Sequence, residues 1–192
     1  CAAAGAVLAC TSRGDSAFFL FVITVALAFA VPISKRIVPE AALACVSSVV
    51  GIWVMARTNV AASHLGSGNE MAGYSLSHIL WLNVLSLPTY LRGFVGHGLG
   101  PGWNDVSYRG TVSFGASLVV LAVLCWSLRS LTWRKALSAI TVFGAITGVP
   151  VVIGLRGHFN NVHVYQPRYM LPLFAVFLLM LLAPSPTRAS DG

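Results

Sequence analysis

The residues best equipped for chemistry fall in one short stretch, "HVYQPRYMLP", residues 163–172. It sets His163, Gln166, Arg168 and Tyr169 directly ahead of a long apolar run. An arginine fork can hold a phosphate or pyrophosphate through two parallel N–H donors, and His163 and Gln166 add hydrogen-bonding groups beside it. A second group is Trp103, Asn104 and Asp105. Asp105 is the candidate catalytic residue, because a carboxylate at the mouth of a helix bundle can act as a general base or hold a metal. Each group also has an architectural reading. Arg and Tyr at a membrane boundary snorkel and anchor, and Asn and Asp favour turns and helix N-caps. On the residues alone both readings stay open.

The elements that must position these groups are apolar. Of 192 residues, 57% are hydrophobic and only 9% charged, against about 25% charged in a typical soluble domain. Mean hydropathy is +0.82. A polytopic membrane protein follows, and nucleic-acid binding is excluded. The net charge of +7, from 12 Lys+Arg against 5 Asp+Glu, sits between apolar runs, where it serves orientation in the bilayer. The cysteines show no CxxC pair and no zinc-type spacing, so neither a disulfide framework nor a structural metal is expected. The chain opens on "CAAAGAVLAC", too short to span about 30 Å of hydrocarbon. It reads as the tail of a helix, and the chain as the C-terminal part of a longer protein forming one transmembrane domain.

The expected fold is all-α, a polytopic bundle of five spanning helices near 17–34, 37–56, 111–128, 136–155 and 169–184. The most basic short connections, around Lys35-Arg36 and at Arg129, Arg134 and Lys135, lie two helices apart and so on one side, which the positive-inside rule makes cytoplasmic. Segments 57–110 and 156–168 then face outward with all five histidines. Within 57–110, residues 75–91 read as a helix lying at the outer interface or re-entrant, with Trp81 and Tyr90 as anchors; the alternative is a short spanning helix, which would invert the orientation of everything upstream. The Gly-rich run 93–102 lacks the Lys-Ser/Thr and strand-loop-helix context of a P-loop and reads as turns. Glu40 suits a helix N-terminus. Gly144 and Gly148 form a small-xxx-small pair that predicts close helix packing, and Pro150 predicts a kink.

Two stretches resemble a known family. "GLGPGWNDVSYRG", 98–110, is similar to the Gly-x-Leu-Gly-Trp-Leu-Asp-Thr segment of the DUF2142 family of predicted bacterial membrane proteins. "QPRYMLPLF", 166–174, is similar to that family's Gly-Arg-Tyr-Leu-Leu-Pro-Leu segment. The Arg-Tyr-x-x-Pro pattern also resembles one found in the GT-C superfamily of polyprenyl-phosphate-sugar glycosyltransferases. The chain departs from the pattern where Asn104 replaces a Leu, where Pro101 is inserted, and where Pro167 replaces a Gly.

The resemblance implies a GT-C-like glycosyltransferase part in a bacterial plasma membrane. Arg168, Gln166 and His163 would hold the lipid phosphate of a polyprenyl-phosphate sugar, with Tyr169 and Trp103 completing the substrate site. Asp105 would contact the acceptor, or a divalent cation if one takes part. No other cofactor is implied, and membrane lipid is the expected partner. Such enzymes carry their acidic catalytic residue in an early outward loop that this chain lacks, so the activity would be incomplete here. The alternatives are a non-catalytic membrane scaffold and a transporter or flippase part. The near absence of ionisable residues deep in the helices counts against ion-coupled transport.

Overall fold

In the computed structural model, residues 16–30, 38–58, 71–96, 110–160 and 165–183 are described, without the side chains of 54–58. Among them every regular element is helical. There are six α-helices: α1 (Ser16–Ala30), α2 (Val38–Thr58), α3 (Leu76–Arg92), α4 (Gly110–Leu128), α5 (Trp133–Gly157) and α6 (Leu171–Leu182). Two 3-10 turns, Gly93–Val95 and Pro167–Met170, end α3 and precede α6.

The helices α4 and α5 are each long and apolar enough to cross a membrane, with mean hydropathies of 2.0 and 2.1. The shorter helices α1 and α6 and the first part of α2 are apolar as well. The most apolar stretch of α4 is only 11% buried inside the bundle, and it displays Phe114, Val119, Trp126 and Leu128 outward. An apolar helix without protein cover belongs in lipid, where every backbone polar group is satisfied along its own axis. Several helix hydroxyls meet the same constraint by bonding back to the carbonyl four residues earlier: Thr24 to Leu20, Ser48 to Ala44, Ser117 to Ser113 and Thr141 to Leu137. This satisfies the hydroxyl at little cost to the helix.

The central helix is α5. It packs against α1, α6 and α3, while α2 leans on α1. Its buried stripe of Ala139, Val142 and Ile146 meets Leu173, Phe177 and Leu181 of α6 and Val22 and Ala26 of α1. The main contacts of α4 are with α6 and the Gly93–Val95 turn.

The observed bounds refine the expected ones. α5 begins at Trp133, because Thr132 caps it by accepting a hydrogen bond from the Lys135 backbone N–H at 3.3 Å. Lys135 therefore lies inside the helix rather than flanking it. Its side chain is largely buried, and the ammonium donates to Ser130 Oγ at 3.2 Å and to the Ala183 carbonyl at the end of α6 at 2.9 Å. Glu40 lies in the first turn of α2, as its charge suggests. α5 runs through Pro150 as one helix. The small-residue pair does not pack as expected: a Cβ at Gly144 or Gly148 would meet no atom within 4 Å. Close approach falls instead at Gly154, where a Cβ would lie 2.5 Å from Asn83 Oδ1.

That approach seats α3 across one end of the bundle. Ser75 caps α3, its hydroxyl accepting from the His78 N–H. Asn83, fully buried, donates to the Ile79 carbonyl at 2.9 Å and to the Phe159 carbonyl at 3.0 Å. Met71 N–H donates to the His158 carbonyl and Asn160 to Ser86 Oγ. The receiving turn is built by His158, left-handed at φ 51°, with the Phe159 N–H returning to the Gly154 carbonyl. This is the 6→1 bond of a Schellman-type helix end. The bonds from Asn83 to Phe159, Met71 to His158 and Asn160 to Ser86 all reach the Gly157 end of α5, as a helix lying over that end requires. Trp81 is exposed in keeping with an anchoring role, but Tyr90 is not an anchor: it is 1% exposed and packs edge-on against Phe94.

Candidate functional site

The two 3-10 turns pack against each other, which brings the end of α3 to the start of α6. Pro167 opens the second turn, and Gln166 before it is extended (φ −72°, ψ 145°), the conformation a following proline enforces. Tyr169 N–H closes the turn on the Gln166 carbonyl at 3.1 Å. Pro167 and Met170 point into the core, leaving Arg168 and Tyr169 half-buried at its edge. On the facing side Phe94 stacks on Phe174 with ring centres 4.6 Å apart. Gly96 then turns the chain in a left-handed conformation, φ 84°, that suits glycine.

Arg168 is held by its neighbour. Its Nη2 donates to the Tyr169 hydroxyl at 3.2 Å, and its guanidinium carbon lies 5.1 Å from the centre of the Tyr169 ring. Such a cation–π contact restrains the fork. Tyr165 stands 5.3 Å from the Tyr169 ring on the buried side. Among the described residues, Gln166 Oε1 and the Tyr90 hydroxyl are buried with no hydrogen-bond partner. Burial pushes the Tyr90 phenol well up, so it stays a neutral donor.

Of the six residues singled out from sequence, Arg168, Gln166 and Tyr169 come together on this turn. Trp103, Asp105 and His163 lie outside the described residues. No group of three His, Cys, Asp or Glu that could hold a metal occurs among the described residues. Cys45 and Cys125 are free thiols. Tyr90, Asn83 and Gly154 were not recognised as shaping this end of the bundle. The available signal was Asn83, a lone amide within a mostly apolar helix, which must find a partner wherever that helix packs.

An all-helical bundle with long apolar faces turned outward defines a helical membrane protein. The sequence comparison is more specific: the DUF2142 family, described as a predicted membrane protein, matches residues 1–177, and the chain belongs to it. No curated protein and no solved structure matches the chain.

Proposed function

We propose that this chain is the lipid-phosphate-binding part of a GT-C-like glycosyltransferase, with five spanning helices in a bacterial plasma membrane and the Arg168 turn on the outer face. The donor is a polyprenyl-phosphate sugar. Arg168 holds the phosphate and stabilises the leaving group with its positive charge. Gln166 and His163 bind beside it, Tyr169 orients the fork, and Trp103 and Asp105 complete the acceptor side, with a divalent cation if Asp105 holds one. The observation that carries this reading is the restraint on Arg168. A lipid anchor needs only a flexible side chain reaching the headgroups, whereas Arg168 is half-buried with its guanidinium folded onto Tyr169, on the same turn as Gln166, whose side-chain Oε1 is buried without a hydrogen-bond partner. The position of Gly96 gives further support: residues 97–109, which include Trp103 and Asp105, follow directly from the turn that packs on Pro167–Met170.

The test is Arg168→Ala and Arg168→Lys in the full-length protein, with polyprenyl-linked sugar transfer and polyprenyl-phosphate binding measured beside protein abundance. Lysine keeps the charge but loses the fork. The expected result is normal abundance for both, transfer lost in the alanine variant and reduced in the lysine variant. Full activity in both variants at normal abundance refutes the phosphate role and leaves Arg168 as an anchor in a non-catalytic scaffold.

A further inference from the structure

A second site lies at the same end of α5 but on another face. Leu76, Ser77 and Leu80 of α3 meet Leu155 and Arg156 of α5 and His158 across an open groove of about 490 Å³. That volume falls within the roughly 300–1,000 Å³ of small-ligand sites. Its walls are leucine, and its polar groups are one hydroxyl, one imidazole and one guanidinium.

Arg156 is exposed and makes no hydrogen bond or ion pair among the described residues. The only carboxylate side chain among those residues is Glu40, on α2, which packs mainly on α1. Among the described residues the cation has no counter-charge, and it stands at the end of an apolar helix long enough to span a membrane. Tyr74 and Trp81, on and beside the first turns of α3, are more than half exposed. Aromatic side chains of this kind mark the headgroup level of a bilayer.

We propose that this groove binds one anionic phospholipid, its phosphate on Arg156 and Ser77 and the upper part of an acyl chain along Leu76, Leu80 and Leu155. The ligand comes from the surrounding bilayer, because α3 and α5 both expose large apolar side chains, among them Leu80, Trp81, Ile140 and Val152. A neutral lipid leaves the Arg156 charge uncompensated, so the headgroup charge sets the preference. The site is distinct from the Arg168 turn and does not depend on glycosyl transfer.

The experiment is native mass spectrometry of the full chain released from detergent, titrated with dioleoyl phosphatidylglycerol or dioleoyl phosphatidylcholine. The variants are Arg156→Gln in the groove and Arg129→Gln just after the C-terminal end of α4, outside the groove, where the guanidinium lies over Trp126. The wild type is expected to retain one phosphatidylglycerol in preference to phosphatidylcholine. Arg156→Gln should weaken that binding about tenfold, as expected for loss of a charge-assisted phosphate contact, and Arg129→Gln should leave it unchanged. The proposal is overturned if phosphatidylglycerol binds Arg156→Gln as it binds wild type, if both lipids bind the wild type equally or not at all, or if Arg129→Gln loses the lipid to the same extent. Circular dichroism of each variant confirms that the helices are intact.

Discussion

Replacing Gly154 by Ala tests the contact that seats α3 on the bundle. Helix propensity alone says that an alanine inside α5 stabilises the helix by up to about 1 kcal/mol. The surroundings oppose this. The new Cβ would meet Asn83 Oδ1 at 2.5 Å, Cγ at 2.9 Å and Nδ2 at 3.0 Å, closer than packed atoms tolerate. Asn83 must swing away, abandoning its bonds to the Ile79 and Phe159 carbonyls. Overpacking typically costs 1–3 kcal/mol, and a buried carbonyl left without its donor about as much again. After the propensity gain, the net destabilisation is roughly 3 kcal/mol. The assay is reversible unfolding of the purified protein in mixed micelles, for Gly154→Ala, Asn83→Ala and the double variant. Asn83→Ala alone should cost about 1–2 kcal/mol, since hydrogen bonds between membrane helices are modest. In the Asn83→Ala background the Gly154→Ala change should cost nothing or stabilise slightly, because the added methyl enters vacated space. An equal cost for Gly154→Ala in both backgrounds would refute the reasoning, since the Cβ would then be meeting something other than Asn83.

Four further predictions use the same assay or hydrogen exchange. Gly157→Ala drives a Cβ into the Phe159 ring and should destabilise by about 1–3 kcal/mol. Gly148→Ala, with no atom within 4 Å, should be neutral or stabilising by up to about 1 kcal/mol; unfolding midpoints that move the same way for both would discount the close contact at Phe159. Lys135→Met removes the donor to the Ala183 carbonyl and should cost about 1–3 kcal/mol, read as faster amide exchange at the end of α6 with little change in α1. Ser75→Ala removes the cap of α3, whose bond is long at 3.3 Å. It should cost about 0.5–1 kcal/mol, the low end for an N-cap, with exchange rising only in the first turn of that helix.

The helices were legible because apolar runs of this length admit few other folds. Within the stretch 75–91, two of the polar residues that interrupt its apolar pattern, Asn83 and Ser86, are those that grip the 158–160 turn. Helix ends were harder to read. Lys135 looks like a flanking charge, and only the return of Ala183 to its ammonium shows why it can be buried. The Gly144 and Gly148 pair carries the spacing of a packing motif without a partner helix on that face, whereas Gly154 has a partner but no motif. Spacing reports which residues share a face, and contact depends on which helix arrives there. The same limit applies to Tyr90, whose aromatic character suits an interface and whose position in α3 turns it inward toward Phe94.

The placement of α6 has a consequence for how the protein is made. The two long helices α4 and α5 are joined by a short turn, yet α6 packs on both of them. α6 has only 12 residues and is the last helix of the described chain to be synthesised. Until it emerges, the Lys135 ammonium lacks an acceptor that lies 48 residues downstream, and the side of the α5 core stripe that meets Leu173, Phe177 and Leu181 has no cover. Membrane insertion of α4 and α5 therefore precedes their consolidation. Nascent chains stalled before residue 171 should carry inserted but mutually loose helices, open to the lipids and quality-control proteases that the finished bundle excludes.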